Sequence, residues 1–245
     1  SGQLASVARN GTAAEQYAYD GHGNRTNANV GGSAAAATFD AQDRLLASGA
    51  TTFAHNAAGA LQSRTLGGQT TTYQYDPLGN LLSVVPPAGS AVSYLVDGRG
   101  RRVAKKVGGS VVQQFLYAGA LRVAAELDGA GNLVSRFVYG GGRVPLYMTR
   151  AGTTYLLATD AVGSVRLVVD AQTGAIAQRI DYDAFGNVVL DTHPGVQPFG
   201  FFAEFLNATA QQLVGPGHWT SKQPLAKRNP LGQFALDLAS CRLAF

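Results

Sequence analysis

Charge is the scarcest commodity in this sequence. Only 14% of its 245 residues are charged, against about 25% in an ordinary globular chain. Long basic blocks are absent, which argues against a broad nucleic-acid surface. The only basic clusters, Arg99 to Lys106 and Lys222 to Arg228, are short, and the first reads as a solvated hairpin end, so no nucleic-acid partner is expected. One cysteine, Cys241, excludes an intrachain disulfide and leaves packing to hold the fold. No apolar run reaches the roughly 20 residues that a membrane-spanning helix needs. The first residues, Ser1 to Ser6, show neither the charged nor the apolar region of a secretory leader, so the expectation is a segment of a longer chain. The four histidines, His22, His55, His193 and His218, are dispersed, without a Cys, His or carboxylate at metal-ligand spacing. No metal and no cofactor is expected.

Glycine, by contrast, is abundant, at 31 residues, and much of it recurs in a short signature. Tyr19-Asp20-Gly21-His22-Gly23-Asn24, Tyr75-Asp76-Pro77-Leu78-Gly79-Asn80 and Tyr182-Asp183-Ala184-Phe185-Gly186-Asn187 all read Tyr-Asp-x-x-Gly-Asn. Weaker copies keep the aspartate and glycine as Asp97 and Gly100, Asp128 and Gly131, and Asp160 and Gly163. Two are more eroded: Asp40 has no glycine after it, and Asn56 replaces the aspartate. Taking positions 20, 40, 56, 76, 97 and 128, the intervals are 20, 16, 20, 21 and 31 residues. The unit is therefore about twenty residues with insertions.

The physical unit is a β-hairpin. In the copy around Pro77, the Asp76 carboxylate can accept backbone N–H groups, Pro77 presets φ, and Gly79 accepts a left-handed conformation. The flanks, Thr71 to Tyr75 and Leu81 to Val85, are β-branched, aromatic or aliphatic, as strands require. A lone hairpin is marginal in water, so the units are expected to pair side by side. Aromatics in the repeated slot would then stack across neighbouring strands. The predicted fold is mainly β: consecutive antiparallel hairpins in one curved, spiralling sheet over residues 1–190. A short mixed C-terminal module is predicted over 191–245, beginning with Pro194 and Pro198. Phe202, Phe205, Leu206 and Leu213 suggest a short helix there, and the alternation from Phe234 to Leu238 suggests a strand.

These residues resemble the YD-repeat, or Rhs, proteins, which include the C components of Tc toxins and, more distantly, teneurin ectodomains. The resemblance covers roughly residues 15–200. It is most specific over Leu156 to Asp170, Ile180 to Val188 and Gln197-Pro198-Phe199-Gly200-Phe201, where the chain is similar to the end of an Rhs core. The resemblance implies a bacterial β-shell that encapsulates or delivers a polymorphic C-terminal toxin and reaches the exterior through a parent chain or secretion system. The implied partners are further YD repeats of that parent, a second copy pairing at the sheet edges, or the toxin itself. In the family, aspartates near the end of the core cut the toxin free. Here Gln223 stands at one such place, and Asn229-Pro230-Leu231-Gly232 carries Asn for Asp. The degenerate motif of Asn229, Pro230 and Gly232 is therefore expected not to cleave.

Other constellations point to structure. Calcium at the repeated aspartates competes with the turns' own backbone amides for the same oxygens. Gly140-Gly141-Gly142-Arg143 could cradle a phosphate only before a helix, and Val144 to Met148 reads as strand or loop. Ser164, Ser221 and Cys241 have no identifiable base or oxyanion donor, so no catalytic set is expected. The alternative is an adhesion or interaction module binding carbohydrate or protein through its exposed sheet.

Overall fold

A computed structural model describes residues 2–201. The expected helix over Phe202 to Leu213, the strand at Phe234 to Leu238, Gln223 and the motif at Asn229, Pro230 and Gly232 lie outside the described residues. The described chain is all-β, with nineteen antiparallel strands and no α-helix. It divides into two compact units, with the boundary in the chain between Gly89 and Ser90. In the first, β1 (Ser6–Arg9), β2 (Thr12–Tyr19), β3 (Arg25–Val30), β4 (Ser33–Phe39), β5 (Leu45–Ser48), β6 (Thr51–His55), β7 (Leu61–Leu66), β8 (Gln69–Tyr75) and β9 (Leu81–Val85) follow one another as a meander. In the second, β10 (Val92–Val96), β11 (Arg102–Val107), β12 (Ser110–Ala118), β13 (Arg122–Asp128), β14 (Leu133–Val138), β15 (Tyr147–Arg150), β16 (Thr153–Thr159), β17 (Val165–Asp170), β18 (Ile176–Tyr182) and β19 (Val188–Asp191) do the same.

Two kinds of turn build the first meander. In the first unit, aspartate or asparagine turns close β2–β3, β4–β5, β6–β7 and β8–β9, and the intervening connections are two-residue turns. Gly31-Gly32, with φ of 58° and 84°, joins Val30 directly to its cross-strand partner Ser33. Positive φ at both positions is the type I′ geometry, whose twist matches that of paired strands. Successive turns of a meander lie at alternate ends, so all four aspartate-type turns share one end of the first unit.

The second unit breaks this alternation. Three strands, β11, β12 and β13, separate the Asp97 and Asp128 turns, and three more, β14 to β16, separate Asp128 from Asp160. The 31-residue interval is thus an odd number of strands rather than an enlarged unit, and it places Asp128 at the opposite end from Asp97, Asp160 and Asp183. Gly140 to Arg143 lie in the β14–β15 hairpin connection.

Each aspartate-type turn is followed by a β-bulge. Tyr75 pairs with Leu81 but Gln74 pairs with Ser83, leaving Leu82 as the extra residue. The same shift occurs in all eight copies. Bulges increase local twist and re-aim side chains. As a result the principal core slot lies three residues before the aspartate. Tyr17, Tyr73, Tyr94, Ala125, Leu157 and Ile180 are buried there, whereas Tyr19 and Tyr75, immediately before their aspartates, are half-exposed. Tyr182 is buried in that slot. The second unit's core gathers Phe115, Val123, Phe137, Met148, Leu157, Val165, Val168 and Phe199.

The expected stacking of repeated aromatics gives way to another arrangement. Equivalent slots in successive repeats are two or three strands apart, about 10 Å or more, too far for ring contact. Arginines fill the interval instead: Arg25 lies 5.1 Å from the Tyr17 ring centroid, Arg102 4.0 Å from Tyr94, and Arg101 4.7 Å from Tyr117. The basic run from Arg99 to Lys106 is consequently only partly solvated. Arg101 covers Tyr117, and Lys105 is buried beside Ala104.

Candidate functional site

The residues singled out by the repeat build one recurrent device. At Asp20 the backbone amide donates to the Asn24 carbonyl (3.0 Å), and the Gly23 amide returns to the Asp20 carbonyl (3.0 Å). The carboxylate oxygen Oδ1 accepts the amides of His22 (2.9 Å) and Asn24 (2.8 Å), while Oδ2 accepts Asn24 Nδ2 (2.9 Å). The turn's own chain therefore engages both carboxylate oxygens.

Asp76, Asp128 and Asp183 repeat this set with Asn80, Asn132 and Asn187. Their backbone loops close through Gly79, Gly131 and Gly186. Asp97 uses Arg101 Nε (2.7 Å) in place of the asparagine amide, with Gly100 closing the loop. Asp160 and Gly163 keep the backbone pattern, with Ser164 in the fifth position.

The two eroded copies adopt the same geometry. Asn56 Oδ1 accepts the amides of Ala58 (3.0 Å) and Ala60 (2.9 Å). Asp40 is served by Gln42, Arg44 and Arg44 Nε. The glycine slot of that copy holds Asp43 at φ 60°. Its amide donates to the Asp40 carbonyl at 3.0 Å, so a non-glycine residue carries the left-handed conformation.

The electrostatics follow from this wiring. The Arg44 amide first, against the opposing pull of burial, and then the Arg44 side chain hold the Asp40 carboxyl below its ordinary range. Asn132 does the same for Asp128. At Asp97 burial works upward, yet hydrogen bonds from Arg101 and Arg99 prevail and the carboxyl is lowered. Carboxylates engaged in this way have little coordination capacity left, and among the described residues no group of three or more His, Cys, Asp or Glu is placed to hold a metal ion. Chemically the array is a set of self-satisfied turns.

Tyrosine hydroxyls add a second device, tying one hairpin to the last. Tyr117 OH donates to the Arg102 carbonyl (2.8 Å), Tyr139 OH to the Val123 carbonyl (3.0 Å), and Tyr19 OH to the Leu4 carbonyl (2.9 Å). Burial pushes the Tyr117 and Tyr139 phenols up to about 12. The sequence shows these tyrosines but gives no sign of their acceptors, because the partners are backbone oxygens about fifteen residues earlier in the chain.

The sequence profile described as Teneurin YD-shell matches residues 1–218. Teneurin-4 of Homo sapiens is 30% identical over 203 residues, covering 80% of this chain and 7% of teneurin-4. The tRNA3(Ser)-specific nuclease WapA of Bacillus spizizenii is 30% identical over 178 residues, covering 70% of this chain and 7% of the nuclease. The chain thus spans only a small fraction of the length of these relatives. Among solved structures, the Photorhabdus luminescens Tc holotoxin pore is similar over 85% of this chain and 12% of its own, at 16% identity and a TM-score of 0.44.

Proposed function

The chain belongs to the teneurin YD-shell family, and from that premise we propose that it is a structural segment of a larger shell whose role is to enclose or deliver a polymorphic toxin. The observation that supports this most directly is the array of eight aspartate-type turns. Their carboxylate or amide oxygens bond to the turn's own chain, so the repeated residues serve the scaffold rather than substrate chemistry. In this reading the segment itself catalyses nothing, and a parent chain carries it to the exterior of a bacterial cell. Its partners are the repeats of that parent, another copy, or the toxin.

Protease protection tests the proposal. A protease-sensitive polypeptide fused after Phe245 would be digested with the segment alone and with its natural upstream repeats attached. Protection that appears only with the upstream repeats supports enclosure. Digestion at the rate of the free polypeptide in both cases rejects it.

One observation favours a second reading, an interaction module. Val138, Tyr147, Leu156, Val169 and Ile176 are successive cross-strand partners from β14 to β18. All but Val169 are exposed. Such a contiguous apolar row suits contact with protein or the apolar face of a sugar. Replacing Tyr147 and Leu156 with Ser, followed by glycan-array and cell-binding measurements, separates this reading from containment.

A further inference from the structure

After β19 the chain turns back onto the core face of the second unit. The Thr192 amide donates to the Arg179 carbonyl (3.0 Å), and Arg150 Nη1 then donates to the Val196 carbonyl (3.0 Å). Gln197 accepts the Phe199 amide at its side-chain oxygen, forming a tight local turn. That turn delivers the Phe199 ring into the core, edge-on to Phe137 with centroids 5.0 Å apart and planes at 89°. Edge-to-face packing of this kind adds to the gain from burial alone. The Val165 amide, at the start of β17, donates to the Gly200 carbonyl at 3.1 Å. Finally, Phe201 lies against Tyr182, with centroids 5.5 Å apart.

Phe201 also meets Gly186, the fourth residue of the last aspartate turn. Its ring occupies the space that a Cβ at position 186 would take. Gly79 holds the same place in an earlier turn and has the same φ of 85°, but nothing lies within 4 Å of its would-be Cβ. At Gly79 only the backbone conformation demands glycine. At Gly186 the demand is double.

We propose that residues 196–201 are a clamp that fixes, on the core face, the point at which the chain leaves the sheet, and that Gly186 is its specificity-determining seat. The ligand of this seat is internal and aromatic. Phe201 docks only against a repeat turn whose fourth residue has no side chain, and Phe199 docks beside it against Phe137. The purpose of the clamp rests on the shell reading, since it starts whatever follows Phe201 from the face that carries the core. Its existence does not depend on that reading.

Residue-resolved hydrogen exchange on the full chain tests the clamp, because the Val165 amide reports directly on the strap. The Leu157 amide, bonded to the Leu146 carbonyl at 3.0 Å, serves as an internal reference within the same unit. Phe201→Ala is expected to speed exchange at Val165 by about tenfold or more while leaving Leu157 unchanged, the signature of local opening. Gly186→Ala should do the same, and Gly79→Ala, with equal backbone strain but no ring to displace, should not affect Val165. Combining Gly186→Ala with Phe201→Ala should add nothing at Val165. Unchanged exchange in Phe201→Ala, or an equal response to Gly79→Ala and Gly186→Ala, would overturn the proposal. If Gly186→Ala does not fold, Phe201→Ala and Gly79→Ala decide the matter. Failure of enclosure would appear in the protease experiment and leave this exchange pattern intact.

Discussion

Asp43 accepts at Oδ1 a 2.7 Å hydrogen bond from Nδ2 of Asn24, a residue of the preceding aspartate turn. His22 Nδ1 approaches the same oxygen at 3.1 Å. Two consecutive turns are thereby joined side chain to side chain, which explains why a repeat can dispense with its glycine. A left-handed non-glycine residue costs about 1–2 kcal/mol, and the bridging hydrogen bonds offset a cost of that size.

The first prediction separates these terms. Asp43→Gly relieves the backbone and loses the bridge, so its urea midpoint should shift by less than the equivalent of about 1 kcal/mol. Asp43→Ala keeps the strain and loses the bridge, and should cost about 1–2 kcal/mol. Equal midpoints for the two variants would show that Asp43 bears no backbone strain.

A second prediction concerns the carboxylate itself. Asn56 shows that an amide oxygen suffices for the two backbone bonds. Asp76→Asn should therefore be mild, losing chiefly the second oxygen that holds Asn80 Nδ2, at a cost under about 1 kcal/mol. Asp76→Ala strands the amides of Leu78 and Asn80 and should cost about 1–3 kcal/mol. Thermal denaturation of both variants, read by circular dichroism, ranks them.

The core slot yields a third. Tyr73→Ala should cost about 3–5 kcal/mol, as for other large buried rings. Tyr75→Ala, at a half-exposed site, should cost much less. Among the described residues the Tyr73 hydroxyl is buried without a hydrogen-bond partner, so Tyr73→Phe should leave stability unchanged or raise it. A large loss in Tyr73→Phe would reveal a partner for that hydroxyl.

The pH dependence follows from the shifted groups. Asp20, Asp40, Asp97 and Asp128 have carboxyls held below their ordinary value, so the unfolded chain binds more protons than the folded one in acid. Their contribution is complete above about pH 4 and is lost as pH falls through the folded values. At the other extreme, burial raises Tyr73 to about 12. Its contribution is present below the ordinary phenol value near 10 and is lost as pH rises toward the folded one. Urea midpoints measured across pH should fall at both ends, and phenolate absorbance should show a late-titrating class. A flat acid limb would contradict the hydrogen-bond wiring of the turns.

Much of the turn chemistry is legible in the sequence, because Asp, Gly and Asn at fixed offsets encode an Asx-type turn that needs no distant partner. Gly31-Gly32 and Gly67-Gly68 are equally plain hairpin signals, yet they lie outside the Tyr-Asp signature, which marks one turn per repeat where there are two. The buried member of Tyr73-Gln74-Tyr75 is not legible, since the bulge at Leu82 disturbs simple alternation. Asp43 hides because its justification lies nineteen residues earlier. Phe199 announces itself as aromatic, but its partner Phe137 is set by the return of the chain over the sheet.

The odd strand counts of the second unit carry a further consequence. Two three-strand intervals occur in succession, and the second reverses the inversion made by the first, so the last hairpin points the same way as the first one in that unit. Parity is therefore conserved over residues 97–160. Excising one interval alone would turn the closing hairpin end for end and present Gly186 at the opposite margin of the sheet. Removing both would preserve its direction. Lengthening or shortening such a meander without disorienting its terminus is thus possible only in even steps, whatever the number of residues in each.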